Sequence, residues 1–347
     1  MMQPPVTLEY LSGLTDDVGV LQHTVEDIPN RSAGYCVDDA ARALIVAVAA
    51  GAYPELEAEA LRLGRIYLAF LLDAQRSDGR MHNFMGYNRN WLDDLGSEDS
   101  FARAIWGLGY TVAYARKATW RNVALRMLSQ ALPHAASLLH LRSQAYAALG
   151  LSMAFPSLLE TQPEARQTLT AIGTRFQEAY KAECAEGWAW FEPCMTYDNA
   201  RLPEAMMRIG AMIGRDDFID TGLDSLDFYE GLCVENGVFV PIGNVGWCRR
   251  DGERARFDQQ PLDAAAMVDA AFFAFDLTGR EGHRRLAEIA YDWFFGRNSL
   301  NAPLVIDGGC RDGFSESSVN RNMGAESTLA YLASAFTLAP YRERAAR

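Results

Sequence analysis

The chain has 347 residues, of which 49% are hydrophobic and 22% charged, enough apolar material to bury a substantial core and to exclude disorder as the main state. Its formal net charge is −13 and it has no basic stripe. Nucleic acid is therefore excluded as the expected partner, because binding a phosphate backbone needs clustered Lys and Arg.

The amino terminus, MMQPPVTLEY, has neither the basic start nor the apolar stretch of a secretory signal, and no apolar run is long enough to span a bilayer. The expectation is a cytoplasmic protein with no membrane partner. Six segments then share a polar opening followed by a helix rich in small residues and apolar nearly all round, the pattern of helices buried on most sides. They are DDAARALIVAVAAG from Asp38, EDSFARAIWGLGYTVAY from Glu98, RSQAYAALGLSMAF from Arg142, DNARLPEAMMRIGAMIG from Asp198, LDAAAMVDAAFFAF from Leu262 and AESTLAYLASAF from Ala325. Between them lie amphipathic stretches. Leu56, Ala60, Leu63, Tyr67 and Phe70 form one helical face, with Glu57, Glu59, Arg62 and Arg65 on the rest of that surface. Similar stretches run from Trp120 to Leu132, Ala165 to Tyr180, Phe218 to Leu232 and Glu281 to Phe295.

Inner and outer helices thus alternate along the whole chain. A helical hairpin cannot bury its apolar face alone, whereas six hairpins closed on themselves can bury them all. The expected fold is an all-α (α/α)6 toroid, residues 1–347 forming one domain, with short strands only in loops such as Gly237–Ile242 and Leu304–Ile306. The six cysteines contain no CxxC pair and read as reduced thiols. No metal site or cofactor fingerprint is expected: P-loop, dinucleotide, HExxH and nucleophile-elbow motifs all lack a match.

In such a ring the inner helices run the same way and their amino-terminal ends gather at one mouth. Asp38, Asp39, Glu98, Asp99, Asp198, Asp263 and Glu326 stand at those ends. Acids in a first helical turn favour the helix dipole and serve as caps, so each alone has a structural reading. Together on one mouth they repel one another, which raises at least one carboxyl pKa. Tyr35, Trp91, Trp190, Tyr197, Trp247 and Asn322 crowd the same loops, and Arg42, Arg103 and Arg201 lie one turn inside. Sugars stack on aromatic faces and pair their hydroxyls with acids, amides and arginines, which makes a glycan the expected ligand, although a single tryptophan can equally be core.

These residues resemble the six-hairpin glycosidase superfamily. The carboxy-terminal run, DWFFGRNSLNAPLVIDGGC followed by SVNRNMGAESTLAYLASAF, is similar to the end of family nine endoglucanases, where the last inner helix bears the catalytic acid. The resemblance implies Glu326 as proton donor and Asp38 or Asp39, in GYCVDDAAR, as base. The D-A-G-D pattern and the histidine-arginine motif of that family are absent, which implies a distant relative. GYCVDDAARAL with GAESTLAYL also resembles a bacterial group of toroid proteins associated with glycosyltransferases and mannoside-processing enzymes, implying a mannoside.

The expected function is hydrolysis of an oligosaccharide, inverting, by a carboxylate pair. Asp99 and Asp198 are held in reserve as further catalytic acids, and Tyr35, Trp91, Trp190, Tyr197, Arg201, Trp247 and Asn322 are expected to bind substrate. Two other readings stay open. One is sugar epimerisation of the N-acylglucosamine 2-epimerase type, which depends on histidines, although none of the five histidines falls on an inner helix. The other is a toroid that binds glycans without turning them over.

Overall fold

The computed structural model describes residues 5–345. Twelve helices occur among them. The inner set is α2 (Val37–Ala50), α4 (Glu98–Tyr114), α6 (Leu141–Leu159), α8 (Arg201–Ile213), α10 (Pro261–Thr278) and α12 (Ala325–Ala345). The outer set is α1 (Glu9–Gly13), α3 (Glu57–Ala74), α5 (Ala118–Ala135), α7 (Glu164–Glu183), α9 (Asp216–Cys233) and α11 (Glu281–Asp292). Each inner helix packs on the next, and α12 packs on α2, so the ring closes.

Local chemistry sets the helix ends. Ser97 accepts the Ser100 N–H at the start of α4, and the Cys36 sulfur does the same for Asp39 at the start of α2. Pro261 occupies the first turn of α10, where its missing N–H costs nothing. Gly214 and Gly279 end α8 and α10 with φ of 75° and 69°, a left-handed conformation that an L side chain resists. Small residues let the inner helices approach closely. A Cβ on Gly109 would overlap the carbonyl oxygen of Gly150 on α6, and one on Gly107 would lie 2.8 Å from the Ala41 oxygen on α2.

The sixth outer position differs from the rest. It is held by α1, only five residues long, which the sequence patterning did not mark. Buried Leu8, Leu11 and Leu14 seat it. Its flank is tied to α3 by Ser12 Oγ donating to Glu59 at 2.6 Å, and Tyr10 Oη donates to the Met323 carbonyl just before α12. Residues 8–14 therefore cover the seam where the ring closes.

Connections from inner to outer helices are short, whereas those leading into the inner helices, apart from the short link from α5 to α6, are long and carry every two-stranded element. These include the expected hairpins, Val234–Glu235 with Val238–Phe239 and Val305–Ile306 with Gly309–Cys310. Unanticipated pairs join Tyr35–Cys36 to Phe84–Met85 and Cys194–Met195 to Cys248–Arg249. The long loops thus wall the mouth at the amino-terminal ends of the inner helices. No described helix is long and apolar enough to cross a membrane.

Candidate active site at the mouth of the ring

Arginines one turn inside the mouth link acids from neighbouring inner helices. Helical side chains lean toward the amino terminus of their helix, so Arg42 on α2 and Arg103 on α4 reach back to the first-turn carboxylates. Arg42 donates through Nη1 to Glu326 at 2.9 Å and through Nη2 to Asp39 at 2.9 Å, with Asp38 3.0 Å from the same Nη2. Arg103 places its Nε 3.2 Å from Asp38 and its Nη2 3.2 Å from Asp198. The result is an alternating belt: Glu326, Arg42, Asp38, Arg103, Asp198. Unscreened like charges at such separations would repel strongly, and the interleaved guanidiniums offset that repulsion.

The acids are not equivalent. The Glu326 side chain is 45% exposed and that of Asp38 27%, so both open toward the mouth. Asp39 is buried at the cap of α2, where it accepts from the Cys36 thiol at 3.2 Å while its own N–H bonds the same sulfur. Burial, opposed by Arg42 but assisted by the charges of Asp38 and Glu326, raises its pKa to about 6. Asp39 therefore sits behind the mouth.

Asp198 departs further from expectation. It does not open an inner helix; it stands in the turn before α8 with φ of 51°, its N–H donating to Asp263 Oδ1 at 2.8 Å. Its carboxylate is fully buried, accepting from Tyr146 Oη at 2.7 Å. Burial next to the Asp198 charge pushes the Asp263 carboxyl well above the usual carboxylate range.

Asp99 lies apart from the belt, in a groove of the mouth lined also by Glu98, His140, Arg142, Glu192 and Tyr197. It accepts from Tyr197 Oη at 2.6 Å and from Ser143 Oγ at 2.5 Å. Arg142 holds Glu192 at 2.8 Å and the Tyr197 carbonyl at 2.6 Å, with its guanidinium over the Tyr197 ring.

The aromatic expectations divide. Trp190 is a correction: it is 0% exposed and packed against Phe191 and Tyr229, because the polar letters around it belong to a loop that tucks its rings inward. Tyr35 is also buried, with its hydroxyl donating to Asp16 at 2.5 Å and its ring stacked on Tyr87. Arg201 is buried between Glu204 and Asp269, each 2.8 Å from its Nη1, below the belt. Trp91 is half-buried on His82 and on Phe70 of an outer helix. Trp247 is half-buried in the loop before α10, with φ of 60°. Asn322 accepts the Glu26 N–H at 3.0 Å and joins two mouth loops.

Tyr146, Ser143 and Trp106 were not singled out from the sequence. Their signal was available as spacing: Arg103 with Trp106, and Ser143 with Tyr146, stand three apart in buried helices, polar groups on one face of otherwise apolar runs.

No family model matches the chain, and no curated protein matches it. Solved structures do. Cellobiose 2-epimerase from Bacillus thermoamylovorans superposes with a TM-score of 0.75 at 14% identity, covering 98% of this chain and 96% of that one. The shared fold is the (α/α)6 toroid. D-mannose isomerase matches with a TM-score of 0.70 at 11% identity, over 95% of this chain and 94% of the other. The GH76 α-mannanase of Bacteroides thetaiotaomicron matches with 0.67 at 10% identity, over 98% and 96%. The likeness is thus one of architecture across the whole ring, shared by epimerising, isomerising and hydrolysing proteins.

Proposed function

We propose that the protein is a glycoside hydrolase acting on an oligosaccharide, a mannoside among the first candidates, through Glu326 and Asp38. The supporting observation is the convergence of these two acids, the more open members of the belt, on one arginine at the mouth. Glycoside hydrolysis requires one carboxyl group to protonate the leaving oxygen and a second to activate water or attack the anomeric carbon. Asp38 stands between two guanidiniums and suits the role that needs a carboxylate anion. Glu326 touches only one of them and suits the proton donor. Asp39 and Asp198, buried behind them, position the arginines. The Asp99 and Tyr197 groove gives hydroxyls of a neighbouring sugar unit acceptor and donor partners.

Sugar epimerisation is the second reading, supported by the architecture shared with cellobiose 2-epimerase. Its proton transfer would fall to His140, the histidine that lines the Asp99 groove.

One experiment separates the two. Oligosaccharides, mannosides included, are incubated with the protein in deuterated buffer, and anomeric protons are followed by NMR. Hydrolysis yields new reducing ends whose first-formed anomer reports inversion or retention. Epimerisation leaves the linkage intact and washes deuterium into carbon two. Intact sugars without deuterium across the panel would remove both.

A further inference from the structure

Beneath the belt the lumen of the ring holds a cavity of about 240 Å³. Arg42, Arg103 and Arg201 roof it, and their bonds to the acids lie on its upper side. The walls come from the middle and carboxy-terminal turns of the inner helices, with Trp106, Tyr110, Phe272, Phe273 and Phe336 supplying ring faces. Tyr114, on the last turn of α4, lines the cavity and is 55% exposed. Exposed Asp276, near the end of α10, lines it too. The cavity therefore reaches the surface at the carboxy-terminal end of the inner helices, opposite the mouth.

Three lining side chains that are more than nine-tenths buried carry an N–H without a protein partner: Trp106 Nε1, Arg103 Nη1 and Arg42 Nε. Buried donors are costly unless satisfied, and a shift of any of these side chains toward the cavity would pair its N–H with an acceptor oxygen of an occupant. An anion fits poorly. The four arginines lining the cavity are already paired, Arg42 and Arg103 with Asp38, Asp198 and Glu326, Arg201 with Glu204 and Asp269, and Arg208 with Glu204. A neutral polyol satisfies both conditions, since its oxygens accept, its hydroxyls also donate to Asp269, and its C–H faces lie against aromatic rings. The space has room for a sugar ring and its hydroxyls.

We propose that this lower lumen is a second binding site that takes one neutral, monosaccharide-sized polyol from the face opposite the catalytic acids. It does not depend on the hydrolase reading, since binding there needs no turnover.

Isothermal titration of the full chain with D-mannose, D-glucose and myo-inositol tests the site. At least one of these binds the native protein and Glu326→Gln alike, while Trp106→Phe and Tyr114→Ala each weaken that binding by about tenfold, the effect of losing one buried hydrogen bond or stacking face. Tyr114 is exposed at the opening, so its variant keeps the test decisive if Trp106→Phe fails to fold. Absence of binding to the native chain by all three compounds would overturn the proposal. Binding that Glu326→Gln abolishes and the two lumen variants leave unchanged would overturn it as well, by placing the sugar at the mouth alone.

Discussion

Glu326 and Arg42, 284 positions apart in the chain, meet at 2.9 Å where the last inner helix closes against the first. Arg42 carries two further acids on the same fork, and its side chain is 9% exposed. Breaking a buried ion pair from one side leaves an uncompensated charge, which costs about 3–5 kcal/mol. Arg42→Met should therefore lower stability to urea by about 3 kcal/mol, whereas Glu326→Gln, at the exposed end of the pair, should lower it by less than about 1 kcal/mol. Equilibrium unfolding followed by circular dichroism reads both, and equal losses would contradict the asymmetry of the fork.

The same glutamate separates chemistry from folding. With a substrate found by the anomeric-proton assay, Glu326→Gln should slow hydrolysis by at least about 100-fold, the usual contribution of a positioned general acid. Its thermal midpoint should stay near that of the native chain. Normal turnover in that variant would strip Glu326 of its role while leaving the ring intact.

Asp39 predicts a pH dependence with a definite sign. Its folded pKa, near 6, lies above the ordinary value of 3.8, so between those pH values the folded state holds a proton that the unfolded state has released. The contribution of Asp39 to stability is greatest below pH 3.8 and falls as pH rises through 6. Exposed carboxylates paired with arginine, such as Asp217 and Glu59, act in the opposite direction in acid. The measurable quantity is therefore a difference: the urea midpoint of Asp39→Asn should gain on that of the native chain across this window and run parallel to it above pH 7 or so. Parallel curves throughout would show that Asp39 titrates normally.

Gly109 tests the closeness of the inner ring. Alanine raises helix propensity by about 1 kcal/mol over glycine. Here the new Cβ overlaps the Gly150 backbone, which cannot swing aside as a side chain would, and overpacking costs about 1–3 kcal/mol or more. Gly109→Ala should lower the thermal midpoint, while Gly282→Ala on the outer helix α11, where a Cβ meets nothing within 4 Å, should leave or raise it.

The alternation of helices was legible because burial on nearly all sides and burial on one face leave different periodic patterns, as α10 and α3 show. The short α1 left no such pattern, since five residues do not complete two turns. At the mouth, helix polarity gave the neighbourhood of Asp38, Asp39 and Glu326, but not their unequal exposure, which depends on how the loops drape over them. Trp190 shows the limit most clearly. Polar neighbours in sequence suggested an open loop, yet the ring turned inward against Tyr229, a contact made across 39 residues that no local pattern encodes. Asp198 shows another: bonded to Asp263, Tyr146 and Arg103, it stands in a left-handed turn, and the helix starts at Arg201.

The short α1 and the closing α12 also impose an order in time. Asp38 and Arg42 leave the ribosome well before Glu326, a delay of roughly a quarter-minute to a minute at ordinary synthesis rates. Throughout that interval the nascent ring is an open arc with a gap where α12 will lie, and its belt of acids and arginines is incomplete. Under the proposed assignment of Asp38 and Glu326, a chain that still lacks α12 has only half of its acid pair, and the arrival of α12 both shuts the circle and completes the belt.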